Sequence, residues 1–169
     1  MQETIFREND IRGTYPEEIN ELVMKDIAIG IAKKCKSEGV DSIAVARDGR
    51  LSGEPLLTNF CEAILNCGID VNCIGLATSP MLYFAAKKEK SKSGIMITGS
   101  HNPKNYNGIK MVINNSSVSG NEILKLIKDG KKLTTTLRGQ IIYSDIKDTY
   151  IKEVIESVEE DLSNLKVLK

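Results

Sequence analysis

Ser100 sits between Gly99 and His101 in the segment Thr98–Lys110, TGSHNPKNYNGIK, and follows closely on a short apolar run, Gly94-Ile95-Met96-Ile97. That run reads as a strand covered on both faces, which places the serine in a loop at its carboxyl end, the rim where open α/β sheets hold ligands. Gly99 lacks a Cβ and so admits a ligand or a neighbouring backbone, while Asn102-Pro103 and Asn107-Gly108 are turn dipeptides that shape the loop. A hydrolase elbow needs Gly-x-Ser-x-Gly and a separate histidine as base. Here the second glycine is missing and the chain's single histidine is the serine's own neighbour, which excludes that triad. Phosphoryl transfer needs instead a hydroxyl that accepts a phosphate, with donors and cations that offset about −1.5 to −2 charges. Lys110, His101 and Arg12 are the candidate cations and Asn102 a further donor. Spacing alone also allows an ordinary polar hairpin loop over Ser100–Gly108.

The elements that must position this loop follow from periodicity. After a turn at Asp10-Ile11-Arg12-Gly13, the residues Ile19, Leu22, Val23, Ile27, Ile31 and Cys35 recur at helical spacing, with Pro16 near the start and Gly39 after the end. Ser42–Ala46 reads as a strand, followed by the polar loop Arg47-Asp48-Gly49-Arg50. A second helix is expected from near Pro55 to Gly68, a strand over Ile69–Ile74, and a third helix opening at Ser79-Pro80. Ile109–Ile113 returns as a strand, so the serine loop joins two strands and not a strand to a helix. The expected fold is α/β, a three-layer domain with a mixed, mainly parallel sheet flanked by helices.

Composition narrows the function classes. The chain has 169 residues, enough for one well-packed domain, and its 41% apolar and 27% charged content exclude wholesale disorder. Lys plus Arg and Asp plus Glu are equal at 23 each, so no net basic charge draws a polyanion and no nucleic-acid partner is expected. The amino terminus, MQETIFREND, is charged where a signal peptide needs an apolar core, and no stretch has the length of a membrane span. No membrane association and a cytoplasmic location are therefore expected. Cys35, Cys61, Cys67 and Cys73 form no CxxC pair and are expected as reduced, mostly core-filling thiols.

From Ser144-Asp145 the pattern changes: Ile146, Tyr150, Ile151, Val154, Ile155 and Val158 mark a helix with Asp145 as its candidate cap. Leu165–Lys169 then reads as the first half of a strand without a partner. Residues 1–144 are expected to form the domain that carries the serine loop, and 145–169 a connecting helix with the first strand of a truncated second domain.

TGSHNPKNYNGIK resembles the phosphoserine loop of the α-D-phosphohexomutases, most of all their bacterial phosphomannomutase/phosphoglucomutase branch. Three further segments agree in order: Phe6-Arg7 with Asp10-Ile11-Arg12-Gly13; Arg47-Asp48-Gly49-Arg50-Leu51-Ser52-Gly53; and Thr78-Ser79-Pro80-Met81-Leu82-Tyr83-Phe84-Ala85. The resemblance implies that Ser100 is phosphorylated and that an oxygen of its phosphate ligates Mg2+. It also implies that His101, Lys110 and Arg12 contact the phosphoryl group or assist proton movement, and that Asn102 orients the loop. Arg50 would bind phosphate or, equally, brace the loop as an ion pair with Asp48. The implied activity moves phosphate between O1 and O6 of glucose or mannose phosphates, with a hexose phosphate and the remaining domains of the same enzyme as partners. Asn9 departs from the tyrosine that the family often has there. The Asp-Gly-Asp-Gly-Asp metal loop, the Gly-Glu-x-Ser-Gly sugar loop and the carboxyl-terminal phosphate clamp are absent from the sequence. Two alternatives stand beside this: a phosphoglucosamine mutase domain, a branch that typically has Ala at the position of Gly99, and a non-enzymatic binding module that retains the fold.

Overall fold

A computed structural model describes residues 1–158 except 134 and 136; the strand expected at Leu165–Lys169 lies outside the described residues. A short 3-10 turn at Glu3–Ile5 leads into β1 (Ile11–Thr14), α1 (Glu21–Ser37), β2 (Ser42–Arg47), α2 (Gly53–Asn66), β3 (Asp70–Leu76), α3 (Ser79–Lys88) and β4 (Gly94–Ile97). The chain continues through β5 (Tyr106–Ile113), β6 (Ser116–Ser117), α4 (Gly120–Lys128), β7 (Ile141–Tyr143) and α5 (Lys147–Glu156). The sheet runs β1-β5-β4-β2-β3-β7, with β6 paired to β5. β4, β2, β3 and β7 are parallel neighbours, and β5 runs antiparallel to both β1 and β4. The sheet is thus mixed and mainly parallel, and the serine loop joins two adjacent strands.

Two apolar layers seal the sheet. On one face Ile43, Val45, Ile95, Ile97, Ile109 and Met111 pack against Ile27, Ile31, Phe60, Ile64 and Ile123 from α1, α2 and α4. On the other, Ala44, Ala46 and Met96 meet Leu82, Ala85 and Ala86 of α3. The alternating strand residues supply both faces, which is why the central strands read as unbroken apolar runs. Lys88 Nζ lies 4.7 Å from the Phe84 ring centroid and 2.8 Å from Glu153, and Tyr150 meets Phe84 edge-on at 5.4 Å, so α5 packs on α3. Among the described residues no helix is long and apolar enough to cross a membrane. All four cysteines are buried free thiols, and burial pushes the Cys35 thiol up to about 12.

Several boundaries differ from the sequence expectation. The Asp10–Gly13 turn is largely strand β1, paired in register with β5 from Ile11–Ile109 to Thr14–Tyr106. Helix α1 starts at Glu21, well after Pro16, because the Asn20 side chain accepts the N–H groups of Leu22 and Val23, both at 3.1 Å. Asp145 accepts the Lys147 N–H at 2.9 Å, one residue before the α5 cap position. Helix α4 and strand β7 were not anticipated. α4 opens on Ser119, whose Oγ accepts the Glu122 N–H at 3.1 Å.

Between β1 and α1 the Glu18 carboxylate accepts the Thr14 N–H at 2.7 Å and its hydroxyl at 3.0 Å. The Thr14 backbone bond first, then its hydroxyl, holds this carboxyl below the ordinary glutamate range. A group depressed in the folded state adds stability above its unfolded pKa and loses it as pH falls through the folded value. Glu18→Gln is therefore expected to lower the melting temperature by roughly 2–4 °C near neutral pH, and by less in acid once the pH has fallen below the depressed folded value and the wild-type carboxyl is itself protonated. Paired melting curves at the two pH values check this; an equal loss at both would count against it.

Candidate active site

The loop from Thr98 to Asn105 leaves β4 still in ladder, with the Thr98 N–H on the Gly108 carbonyl at 2.9 Å. Thr98 Oγ1 donates to Asp48 Oδ2 at 2.8 Å and accepts the Ser100 N–H at 2.8 Å. The same Asp48 oxygen accepts the Gly99 N–H at 3.2 Å. Ser100 is held with φ +53°, a left-handed conformation that costs a residue with a Cβ and persists only where the surroundings enforce it. Both the N–H and the Nδ2 of Asn102 donate to the Gly99 carbonyl, at 3.0 and 2.8 Å.

Arg50, in the loop after β2, reaches into this turn. Its Nε donates to Asp48 Oδ2 at 3.2 Å. Nη1 donates to the carbonyls of Pro103 at 2.5 Å and Tyr106 at 3.1 Å. Nη2 donates to those of Ser100 at 3.0 Å and Asn102 at 2.7 Å. A guanidinium has five N–H groups, and all of them are engaged within the protein; a role as phosphate ligand would require one of these bonds to be given up. Gly99 leaves the space for it, since a Cβ there would lie 2.3 Å from Arg50 Cζ and 2.7 Å from the Tyr106 carbonyl oxygen.

A cleft of about 790 Å³ opens above the loop, lined by Asp48, Thr78, Met96, Ser100, His101 and Lys110 among others. Ser100 Oγ and His101 Nδ1 are 3.2 Å apart. Lys110 pairs with Met96 across β5 and β4 and shares the α3 face of the sheet with it. Thr78, Ser79 and Met81 bring the amino-terminal end of α3 to the cleft, an end whose N–H groups and dipole favour anions. Lys147 of α5 completes the wall.

Of the residues singled out by sequence, Ser100, His101 and Lys110 are thus brought into one cleft. Arg12 lies on the edge strand opposite Gly108, diagonal to Lys110 on the same sheet face, with its guanidinium paired to Asp10. It is not among the residues lining the cleft. Asn102 and Arg50 line a neighbouring cleft of about 900 Å³ with Tyr15, Ser52 and Lys104. Thr98 and Lys147 were missed. Thr98 sits at the head of the motif and could have been read as its buttress; Lys147 carries no sequence signal, being placed by the packing of α5 on α3. Among the described residues no group of three or more His, Cys, Asp or Glu could hold a metal ion.

Fold and cleft together define an α/β/α domain that displays a serine at the carboxyl rim of its sheet, among cations. The family described as phosphoglucomutase/phosphomannomutase, alpha/beta/alpha domain I, matches residues 3–157, and the chain belongs to it. The chain is 38% identical to a phosphoglucomutase of Neisseria gonorrhoeae over 158 residues, covering 91% of this chain and 34% of that protein. It is 31% identical to a phosphoglucosamine mutase of Prochlorococcus marinus, covering 98% of this chain and 38% of that protein. A solved phosphoglucomutase/phosphomannomutase family protein of Burkholderia thailandensis superposes with a TM-score of 0.87 at 31% identity, over 94% of this chain and 36% of that one. The chain therefore spans about a third of the length of the relatives it matches.

Proposed function

We propose that this chain is the serine-bearing domain of a phosphohexomutase that interconverts hexose 1-phosphate and hexose 6-phosphate through a bisphosphorylated intermediate. Phosphoserine 100 gives its phosphoryl group to the free hydroxyl of a sugar monophosphate: the Oγ–P bond breaks, a sugar O–P bond forms, the hydroxyl proton passes to a base, and the departing Ser100 Oγ takes up a proton. The bisphosphate reorients, and Ser100 Oγ gives its proton to a base as it takes back the other phosphoryl group, while the sugar oxygen released takes up a proton. The observation that carries this is Ser100 itself, held left-handed at the mouth of β4 in one cleft with His101 and Lys110. His101 Nδ1 at 3.2 Å is placed to take the serine proton. Lys110 offsets phosphoryl charge from the sheet, whereas Arg12, on the same face but outside the cleft and paired to Asp10, would add a second cation only by giving up that pair. Mg2+, when bound, would neutralise phosphate charge, with the Ser100 phosphate as the ligand that this chain provides.

The remaining two thirds of such an enzyme would supply the other metal ligands and the sugar contacts. The isolated chain is therefore expected to show little or no turnover of glucose 1-phosphate, because the positioning that makes this chemistry fast is missing. A coupled assay on residues 1–169 tests that, and robust turnover would contradict it. Intact mass gives the complementary test, because about 80 Da of serine-linked phosphate marks an enzyme origin. An unmodified, folded domain that captures a protein partner would favour a binding module. Glucosamine phosphate is the alternative sugar, supported by the phosphoglucosamine mutase relative.

A further inference from the structure

We infer that Arg50 is a positioning residue for the Ser100 loop: its guanidinium is the template on which the loop is moulded, and Gly99 is the space this template needs. The inference rests on the reading of Ser100 as the phosphate carrier. Four backbone carbonyls, those of Ser100, Asn102, Pro103 and Tyr106, converge on one guanidinium. Four carbonyl dipoles aimed at one point repel each other unless a cation sits there, so the turn and the arginine stabilise each other. Asp48 fixes the arginine in return, through Nε at 3.2 Å and through the Arg50 N–H at 3.1 Å. Lysine cannot substitute. An ammonium offers three donors from one point, whereas the planar fork reaches carbonyls on both of its edges.

The grip has a directional consequence. A peptide unit is planar with its C=O and N–H opposed, so a Ser100 carbonyl turned toward Arg50 turns the His101 N–H away from it. Among the described residues that N–H has no hydrogen-bond partner. It is the loop amide adjacent to the serine, and it is left free to donate to a phosphoryl oxygen on Ser100. Arg50 thus acts on the phosphate without touching it, by holding Ser100 left-handed and aiming the next amide.

The test combines the 169-residue chain with the longer enzyme. In the enzyme, Arg50→Lys is expected to lower kcat by about 10²-fold, the scale of an ångström-level misplacement, with KM for the hexose phosphate within about threefold of wild type. Guanidinium ion added to Arg50→Ala should restore at least about tenfold of the lost rate. Gly99→Ala should cost at least as much as Arg50→Ala, since its Cβ would meet both the guanidinium and the Tyr106 carbonyl, and the two changes together should cost clearly less than their sum because they share the Arg50 contact. In the chain, amide exchange at Gly99 and Ser100, whose N–H groups are bonded to Asp48 and Thr98, should accelerate at least about tenfold in Arg50→Lys while α1 and α2 keep their protection. Wild-type kcat in Arg50→Lys overturns the proposal, as does a raised KM with kcat unchanged, which would make Arg50 a substrate ligand. Full additivity of the Gly99 and Arg50 changes also overturns it. If the wild type accepts no serine phosphate from a hexose bisphosphate, the phosphoserine reading fails by itself; the exchange measurement then decides whether Arg50 holds the loop.

Discussion

Replacing Ser100 by alanine in the full-length enzyme is expected to abolish the covalent phosphate and to lower turnover by at least about 10⁴-fold. The size of the effect follows from the roles assigned to the cleft. In the proposed reaction His101 and Lys110 move a proton and offset charge, and of the other hydroxyl residues that line the cleft, Thr78, Ser79 and Tyr83 belong to the start of α3 and not to the loop after β4. Thr98 is the nearest candidate, and its Oγ1 is committed between Asp48 and the Ser100 N–H. Stability should change by no more than about 1 kcal/mol, since Ser100 is only partly buried and its backbone bond to Thr98 survives the substitution. Phosphate incorporation from a labelled hexose bisphosphate, read by intact mass, separates the outcomes. A variant that still takes up one phosphate would move the carrier elsewhere and end the assignment.

Gly108→Ala is expected to destabilise the domain by about 3 kcal/mol and to disturb the cleft from its edge. A Cβ at this position would lie 2.1 Å from the Ile11 carbonyl oxygen and 3.1 Å from Arg12 Cα. Both obstacles are backbone, so no rotamer change can relieve the clash, and β1 must back away from β5. That withdrawal loosens the ladder that runs from Ile11–Ile109 to Thr14–Tyr106 and shifts Arg12 relative to Lys110. Gly49→Ala is the control: a Cβ there meets nothing within 4 Å, and its cost should stay within about 0.5 kcal/mol. Urea unfolding of the two variants checks the difference. Equal losses would show that close strand approach is not what requires a glycine at position 108.

What the sequence made legible was whatever its information kept local. The strand before Ser100, the bend at Asn102-Pro103 and the return of β5 lie in one contiguous stretch, so hydrophobic run and turn chemistry sufficed there; Asn107-Gly108, expected as a turn, instead lies within β5 opposite Gly13 and Arg12, because β1 pairs with it and draws the dipeptide into the ladder. β1 was harder: four residues, with an arginine and a glycine among them, look like a turn until β5 supplies hydrogen-bond partners from almost a hundred residues away. Helix α4 did carry a signal, Ser119 three residues before Glu122, the spacing of a capping box. The Gly120-Asn121 pair beside it reads as a turn. Arg50 shows the limit most clearly. Its local sequence displays a charged loop, whereas the acceptors that define its role all but one come from the Ser100–Tyr106 turn, some fifty residues on.

The loop that bears Ser100 is anchored at both ends in adjacent strands of the same sheet and pinned at its middle. A carrier mounted in this way behaves as an anvil and not as a swinging arm. If the phosphate must reach two different oxygens of one sugar, the travelling has to be done by the sugar, which would turn over above a stationary serine.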